Sequence, residues 1–357
     1  MTAHNPVVYR DHRAILPPTS GDRALPNHAK SEEPPPNRAK GLVQKLRKRK
    51  GRAAWAVSDL TTALGLAALL LPAWILPESS WAPLWRAAAR LPFFTSQTAI
   101  RRTAQSIAAA LGDVSAVRAR GIARDLRAAI YELRFQDLRA WRPGRWRPKL
   151  SLEGEAHLVE ALQAEKGAVL WVSPTIFNSL PAKIALHRQG YKVSHLSSPM
   201  HGYSETQFGV DRLNKLRCIP EDRYLKERIV FDSEAPTTAM RKMMRALKAG
   251  EVVSIVAANT EGFEMVEGPI FGGRLPVAVG APRLAALTGA PLLPTFVLRD
   301  PERGFRVVIE PPIALDPQQA ADERTVAAAT EYLRRSEAWV RRYPEQWRAW
   351  SKWRSRT

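Results

Sequence analysis

One cysteine, Cys218, stands among 357 residues, so the chain can neither close an internal disulfide nor hold a multi-cysteine zinc site. Such usage fits a reducing compartment. Histidine is scarce as well: the seven histidines are scattered, with no His-Glu-x-x-His or comparable spacing, and no metal is expected. Acidic residues are few: 34 Asp and Glu face 54 Lys and Arg, for a formal charge of +20. A lasting partner surface is therefore expected to be anionic, with nucleic acid and anionic lipid as the two classes. There is no internal repeat, and near the amino terminus no short apolar core with a small-residue cleavage site.

What is present is a chain with 45% hydrophobic residues, enough to fill the core of one large domain or two ordinary ones. Residues 1–40 carry "ILPPTSG", "RALPNH" and "SEEPPPNR", a proline-rich polar stretch that cannot offset its ordering entropy by burial. Then comes "RAKGLVQKLRKRKGR", where Arg38, Lys40, Lys45, Arg47, Lys48, Arg49, Lys50 and Arg52 meet no acid. A disordered basic tail is expected over 1–52.

The uncharged run Leu60–Leu76, "LTTALGLAALLLPAWIL", follows closely. At about 1.5 Å per residue its helix barely matches a bilayer core of roughly 30 Å, and Pro72 would bend it; spanning and half-inserted readings both stay open. A basic cluster directly before an apolar segment, with Trp55, Trp74, Trp81 and Trp85 as interface anchors, predicts a membrane-anchor helix over 55–85 with the cluster on the cytoplasmic face. The plainer alternatives are a buried core helix and a solvated or nucleic-acid-binding tail.

Downstream, Ile107/Leu111 and Leu126/Ile130/Leu133 have helical spacing, and "LGDVS" supplies a glycine stop and a serine start between two helices within 98–139. "WRPGRWRPK" (141–149) breaks the pattern. Its alternating Trp and Arg suit a membrane interface or base stacking, and a plain loop equally. From residue 155, helical stretches alternate with short apolar strands ("AVLWVS", "YKVSHLS", "VVSIVA", "PLLPTFVL", "FRVVIEPPI"). That order predicts an α/β domain with a layered, mostly parallel sheet and flanking helices over 86–354. A closing helix with Trp339, Trp347, Trp350 and Trp353 is expected over 322–353.

Several blocks then resemble, in order, the bacterial lipid A biosynthesis lauroyl/myristoyl acyltransferase family, within the lysophospholipid acyltransferase superfamily. They are "LKAGEVVSIVAANTEG" (247–262), "GPIFGGRLPVAVGAPRLAALTGAPLLPTFVLRD" (268–300) and "RRYPEQWRAWSKW" (341–353). The resemblance implies transfer of a fatty acyl group from acyl carrier protein or coenzyme A to a hydroxyl of a glycolipid or lysolipid, at the bacterial inner membrane, with no cofactor. The family signature is a His followed five residues later by Asp or Glu after the first strand, because an alcohol needs a base and the imidazole needs a carboxylate to fix its tautomer.

In "VLWVSPTIFNSLP" (169–181) the base position falls on Pro174 or Thr175, and the acid position on Ser179 or Leu180. Neither register restores the pair. Displaced candidates are His201 with Glu205, which on a helix would share a face, and Glu261 with His195, on strand ends that line one edge of an open sheet. The resemblance puts Arg217 opposite a substrate phosphate. It makes Phe271, Gly272, Gly273 and Arg274 a segment whose backbone and charge could hold an oxyanion or phosphate. The expected activity is O-acyl transfer at the membrane. A non-catalytic relative that binds lipid or a partner enzyme is the alternative. A nucleic-acid partner explains the charge but not the ordered blocks, and none is expected.

Overall fold

The computed structural model describes residues 53–92, 95–232, 235–257 and 264–355. The tail over 1–52 and Glu261 lie outside the described residues.

The apolar run forms α1 (Val57–Ile75), which stops before Pro77 instead of running on to residue 85. A short turn leads into α2 (Trp81–Ala88). Proline has no N–H and disfavours helix in the residue before it, so the Leu76–Pro77 step divides the expected anchor helix in two. One face of α1, at Leu66 and Ala73, packs with Trp81, Trp85, Ala128, Phe135 and Leu138. The other face carries Val57, Leu60, Leu64, Leu71 and Ile75, each between 58% and 75% exposed.

Both ends of α1 are tied down. Asp59 accepts from Ser204 Oγ at 2.5 Å and Thr206 Oγ1 at 2.7 Å. At the far end Arg139 donates to the carbonyls of Ala73 and Leu76, groups that a helix terminus leaves unpaired.

Helices α3 (Gln97–Leu111) and α4 (Ala116–Arg139) form where the periodicity predicts. Ser96 and Ser115 cap their amino ends, and Gly112, at φ 70°, ends α3.

The α/β part has the elements β1 (Leu150–Glu153), α5 (Glu155–Gln163), β2 (Ala168–Val172), α6 (Leu180–Arg188), β3 (Val193–Ser197), α7 (Lys215–Asp222), β4 (Glu227–Val230), α8 (Pro236–Lys248) and β5 (Val252–Val256). The hairpin β6 (Met265–Ile270) and β7 (Gly273–Ala278) follows, then α9 (Gly280–Thr288), β8 (Leu292–Asp300), β9 (Gly304–Ile309) and α10 (Ala321–Arg342).

Seven strands make one sheet in the order β1-β9-β8-β2-β5-β3-β4, parallel throughout except for β8 against β9. Every residue of β2 is buried, as an uninterrupted apolar run between helical layers requires. Strands β1 and β4 were not foreseen: each is four residues, half-buried and charged, typical of a sheet edge.

The closing helix ends at Arg342, not near 353, because Pro344 stops it. Trp347, Trp350 and Trp353 therefore lie in a turn-rich segment, where they pack into the core instead of lining a helix face.

Candidate functional site

Carboxyl ends of parallel strands collect loops on one edge, and there the chain exits β2 at Ser173. This exit is stitched to the carboxyl-terminal segment. Ile176 N–H donates to Gln346 O at 2.7 Å, Arg348 N–H donates to Pro174 O at 3.2 Å, and Thr175 bridges Trp347 as a strand pair. Thr175 is 4% exposed, and its hydroxyl donates to Val297 O at 2.7 Å. A side chain so placed holds the turn.

Ser179, at the start of α6, faces a different group. Its Oγ donates to Glu221 Oε1 at 2.5 Å and accepts from Lys183 Nζ at 2.8 Å, one helical turn on. Glu221, on α7, is fully buried and gathers the site. Lys183 Nζ lies 2.7 Å and Arg228 Nη2 2.7 Å from its Oε2, and Arg217 Nε lies 3.3 Å from its Oε1. His201 Nε2 stands 3.1 Å from both oxygens.

Burial alone would raise the pKa of Glu221. The Lys183 ammonium, the bond to His201 and the Arg217 guanidinium outweigh it and hold the carboxyl well below its ordinary range, so it stays ionised. Burial pulls Lys183 below the usual lysine value, while Glu221 opposes that shift.

His201 is the histidine of this cluster. Burial pushes its pKa down to about 4 against the pull of Glu221, leaving a neutral ring at pH 7. With Nε2–H donated to Glu221, Nδ1 keeps its lone pair and has no partner among the described residues, and the side chain is 22% exposed. A neutral imidazole held in one tautomer by a carboxylate is the pair that alcohol activation needs.

The expected partner of His201 was Glu205. That pairing fails because residues 201–205 are not helical, and Glu205 is exposed while Glu221 takes the ring. His195 sits inside β3, buried, with Nδ1 3.3 Å from Ser254 Oγ on the neighbouring strand. Its expected cleft partner, Glu261, lies outside the described residues.

Arg217 is buried between two acids: Glu221, and Asp137 of α4 at 3.9 Å. Asp137 also accepts from Tyr203 OH at 2.7 Å, and burial raises it to about 6 although Arg217 and Tyr203 pull it down. Leu180 is buried in the apolar cluster behind the turn, with Phe177 and Phe305.

The "FGGR" stretch forms the β6–β7 turn. Phe271 and Gly272 have φ of 51° and 68°, the left-handed pair a two-residue hairpin demands. Phe271 N–H donates to Glu337 Oε2 at 3.2 Å, and its ring stacks on Trp350. A Cβ on Gly273 would collide with Arg354 O and the Trp353 ring. Arg274 pairs through its backbone with Arg354, and its side chain is exposed. Phe271 also meets Trp347, which links this hairpin to Thr175.

Lys183, Glu221 and Arg228 escaped the sequence reading. Ser179/Lys183 and Arg217/Glu221 are both spaced i, i+4, a signal that could have found Lys183 and Glu221, whereas Arg228, on β4, carries none.

Among the described residues no group of His, Cys, Asp and Glu could hold a metal ion. A cavity of 250 Å³ lies beside the turn, lined in part by Phe177, Glu132, Arg299 and Gln346.

A family model described as bacterial lipid A biosynthesis acyltransferase matches residues 52–354. No significant match was found among curated proteins. The match spans α1, the sheet and the segment that closes over the β2 exit, so this architecture is the family's own: the chain belongs to the bacterial lipid A biosynthesis acyltransferase family.

Proposed function

We propose that this protein transfers a fatty acyl group from an acyl carrier protein or coenzyme A thioester to a hydroxyl of a membrane glycolipid or lysolipid, with His201 as the base. The observation that carries this reading is the His201–Glu221 pair, with Nε2 on the carboxylate and Nδ1 open. The acceptor O–H gives its proton to Nδ1 as its oxygen attacks the thioester carbonyl. Glu221 stabilises the imidazolium that forms. Collapse of the tetrahedral intermediate breaks the C–S bond, and the departing thiolate takes the proton from Nδ1. No cofactor enters.

A ring protonating near pH 4 is a weak base. Burial first, and then Arg217 and Lys183, put it there. Turnover is expected to be slow, and its acid limb to lie near pH 4 instead of the usual histidine range.

The site reads as working at the cytoplasmic face of a bacterial inner membrane. The outward stripe of α1 supports that placement, because exposed large apolar side chains in a row suit a lipid phase. With its start tied to Ser204 and Thr206, its end tied to Arg139 of α4 and one face packed on α4, α1 is better suited to lie in the plane of the membrane than to cross it.

The test is transfer from labelled acyl carrier protein and acyl coenzyme A to lipid acceptors by detergent-solubilised protein. His201→Gln should lose about 10²- to 10⁴-fold of the rate while still floating with vesicles. Equal rates in the variant and the parent sink the assignment. A second reading, a non-catalytic lipid-binding relative, is favoured by the residues at the two possible registers of the family's base position: Pro174, which cannot titrate, and Thr175, buried and pinned to Val297 O. Retained flotation without turnover from either donor selects it.

A further inference from the structure

Three exposed arginines meet at another part of the surface. The loop from α4 to β1 turns through Gly144 and Arg145, at φ 82° and 61°. A long side chain at positive φ costs on the order of 1 kcal/mol, and such strain persists where the surroundings hold it. Behind this turn is a hollow of 540 Å³, lined by Gly144, Arg145, Trp146, Arg147, Ile184, Arg188 and Tyr224.

Its floor is rigid. Trp146 is 4% exposed, edge-on to Phe305, and its indole N–H reaches Glu78 Oε2 at 3.1 Å. The rim is the charged part: Arg145, Arg147 and Arg188 are all exposed. Arg188 Nη1 donates to Pro148 O at 3.4 Å, and among the described residues none of the three forms an ion pair. What sets these three apart from the other exposed arginines is that they border one hollow.

We propose that this hollow binds a phosphate-bearing anion, a monoester or diphosphate group, by charge-assisted bonds from Arg145, Arg147 and Arg188. Guanidinium forks match phosphate oxygens two at a time. A hollow of 540 Å³ is within the range of about 300–1,000 Å³ that small-ligand sites occupy. The site is separate from the His201 cluster: on α6, Ile184 and Arg188 line the hollow while Lys183 binds Glu221. A lipid headgroup and a free phosphate compound offer the same chemistry.

The experiment uses full-length protein in detergent micelles and labelled pyrophosphate in equilibrium dialysis. The variant R145Q/R147Q/R188Q is set against R101Q/R102Q/R118Q, which removes equal charge from exposed positions on α3 and α4. The first should weaken binding at least tenfold and the second less than twofold. R147Q alone, at one exposed position, should weaken it measurably with unchanged thermal unfolding. Equal losses in the two triple variants, or no saturable binding by the parent, overturn the proposal.

A second arm measures how much phosphatidic acid adds to flotation with phosphatidylcholine vesicles. Loss of that increment in the hollow variant, with competition by pyrophosphate, assigns a lipid phosphomonoester. An increment unaffected by the variant, with pyrophosphate binding lost, assigns a free phosphate compound.

Discussion

Replacing Glu221 by Gln keeps the shape of the side chain and removes its charge. In the parent that carboxylate is fully buried among Lys183, Arg217 and Arg228. Breaking a buried pair from one side costs about 3–5 kcal/mol, since the cations left behind stay out of water uncompensated. Against a usual total of about 5–15 kcal/mol, that is at least about a fifth of the stability.

The loss should depend on pH, and its sign follows from Lys183. Burial already lowers its folded pKa, and Glu221 is what holds it up. Without Glu221 the folded pKa falls further, while the unfolded value stays near 10.4. Between those two values the unfolded chain binds more protons, so the variant gains stability as pH rises. E221Q should therefore be most damaged near pH 6 and recover toward pH 10.

Urea unfolding followed by tryptophan fluorescence reads this directly, with Trp171, Trp347 and Trp350 all buried in the core. Adding Lys183→Met to E221Q should restore part of the loss, because an apolar replacement removes the stranded ammonium. A difference under about 1 kcal/mol at pH 7, or one that stays constant from pH 6 to 10, would refute the reasoning.

Other perturbations test other parts. Thr175→His puts a histidine at one of the two candidate base positions and should not raise transfer, since the site is buried and its hydroxyl serves Val297 O; a rate above the parent's would show that the turn can open. Gly273→Ala should cost about 1–3 kcal/mol in urea unfolding through its clash with Arg354 O and Trp353, and an unchanged midpoint would contradict the packing there. Asp137, raised to about 6 by burial, binds its proton more tightly folded than unfolded. Its contribution is present at low pH and is lost as pH climbs from about 4 to 6, so Asp137→Asn should flatten the stability curve in that window. Asp59→Ala removes two hydroxyl partners at the start of α1 and should speed amide exchange over 53–60, with α10 unaffected.

The layered sheet could be read from the sequence because its buried strands are uninterrupted apolar runs set between helical periods, as "AVLWV" and "VVSIV" are. Edge strands β1 and β4 carry no such run, and their pairing depends on neighbours far away in sequence. The site was half legible. His201 stood out as a titratable residue after a strand, but its carboxylate is Glu221, twenty residues on in α7. Local spacing favoured Glu205, four residues away, and the irregular backbone between them removed the geometry that spacing presumes. Helix ends followed proline, at Pro77 and Pro344, more closely than hydrophobicity.

The stitching of residues 174–176 to 346–348 couples the timetable of synthesis to that of folding. Arg348 follows Ile176 by 172 residues, an interval of roughly 10–35 s at ribosomal speed. Through that delay the central strand can already recruit its neighbours, yet the main-chain groups just past its end wait unpaired. A nascent chain, or one cut before Pro344, thus offers an open backbone edge to other polypeptides. Chaperones would meet this protein with its centre assembled and one seam unsewn.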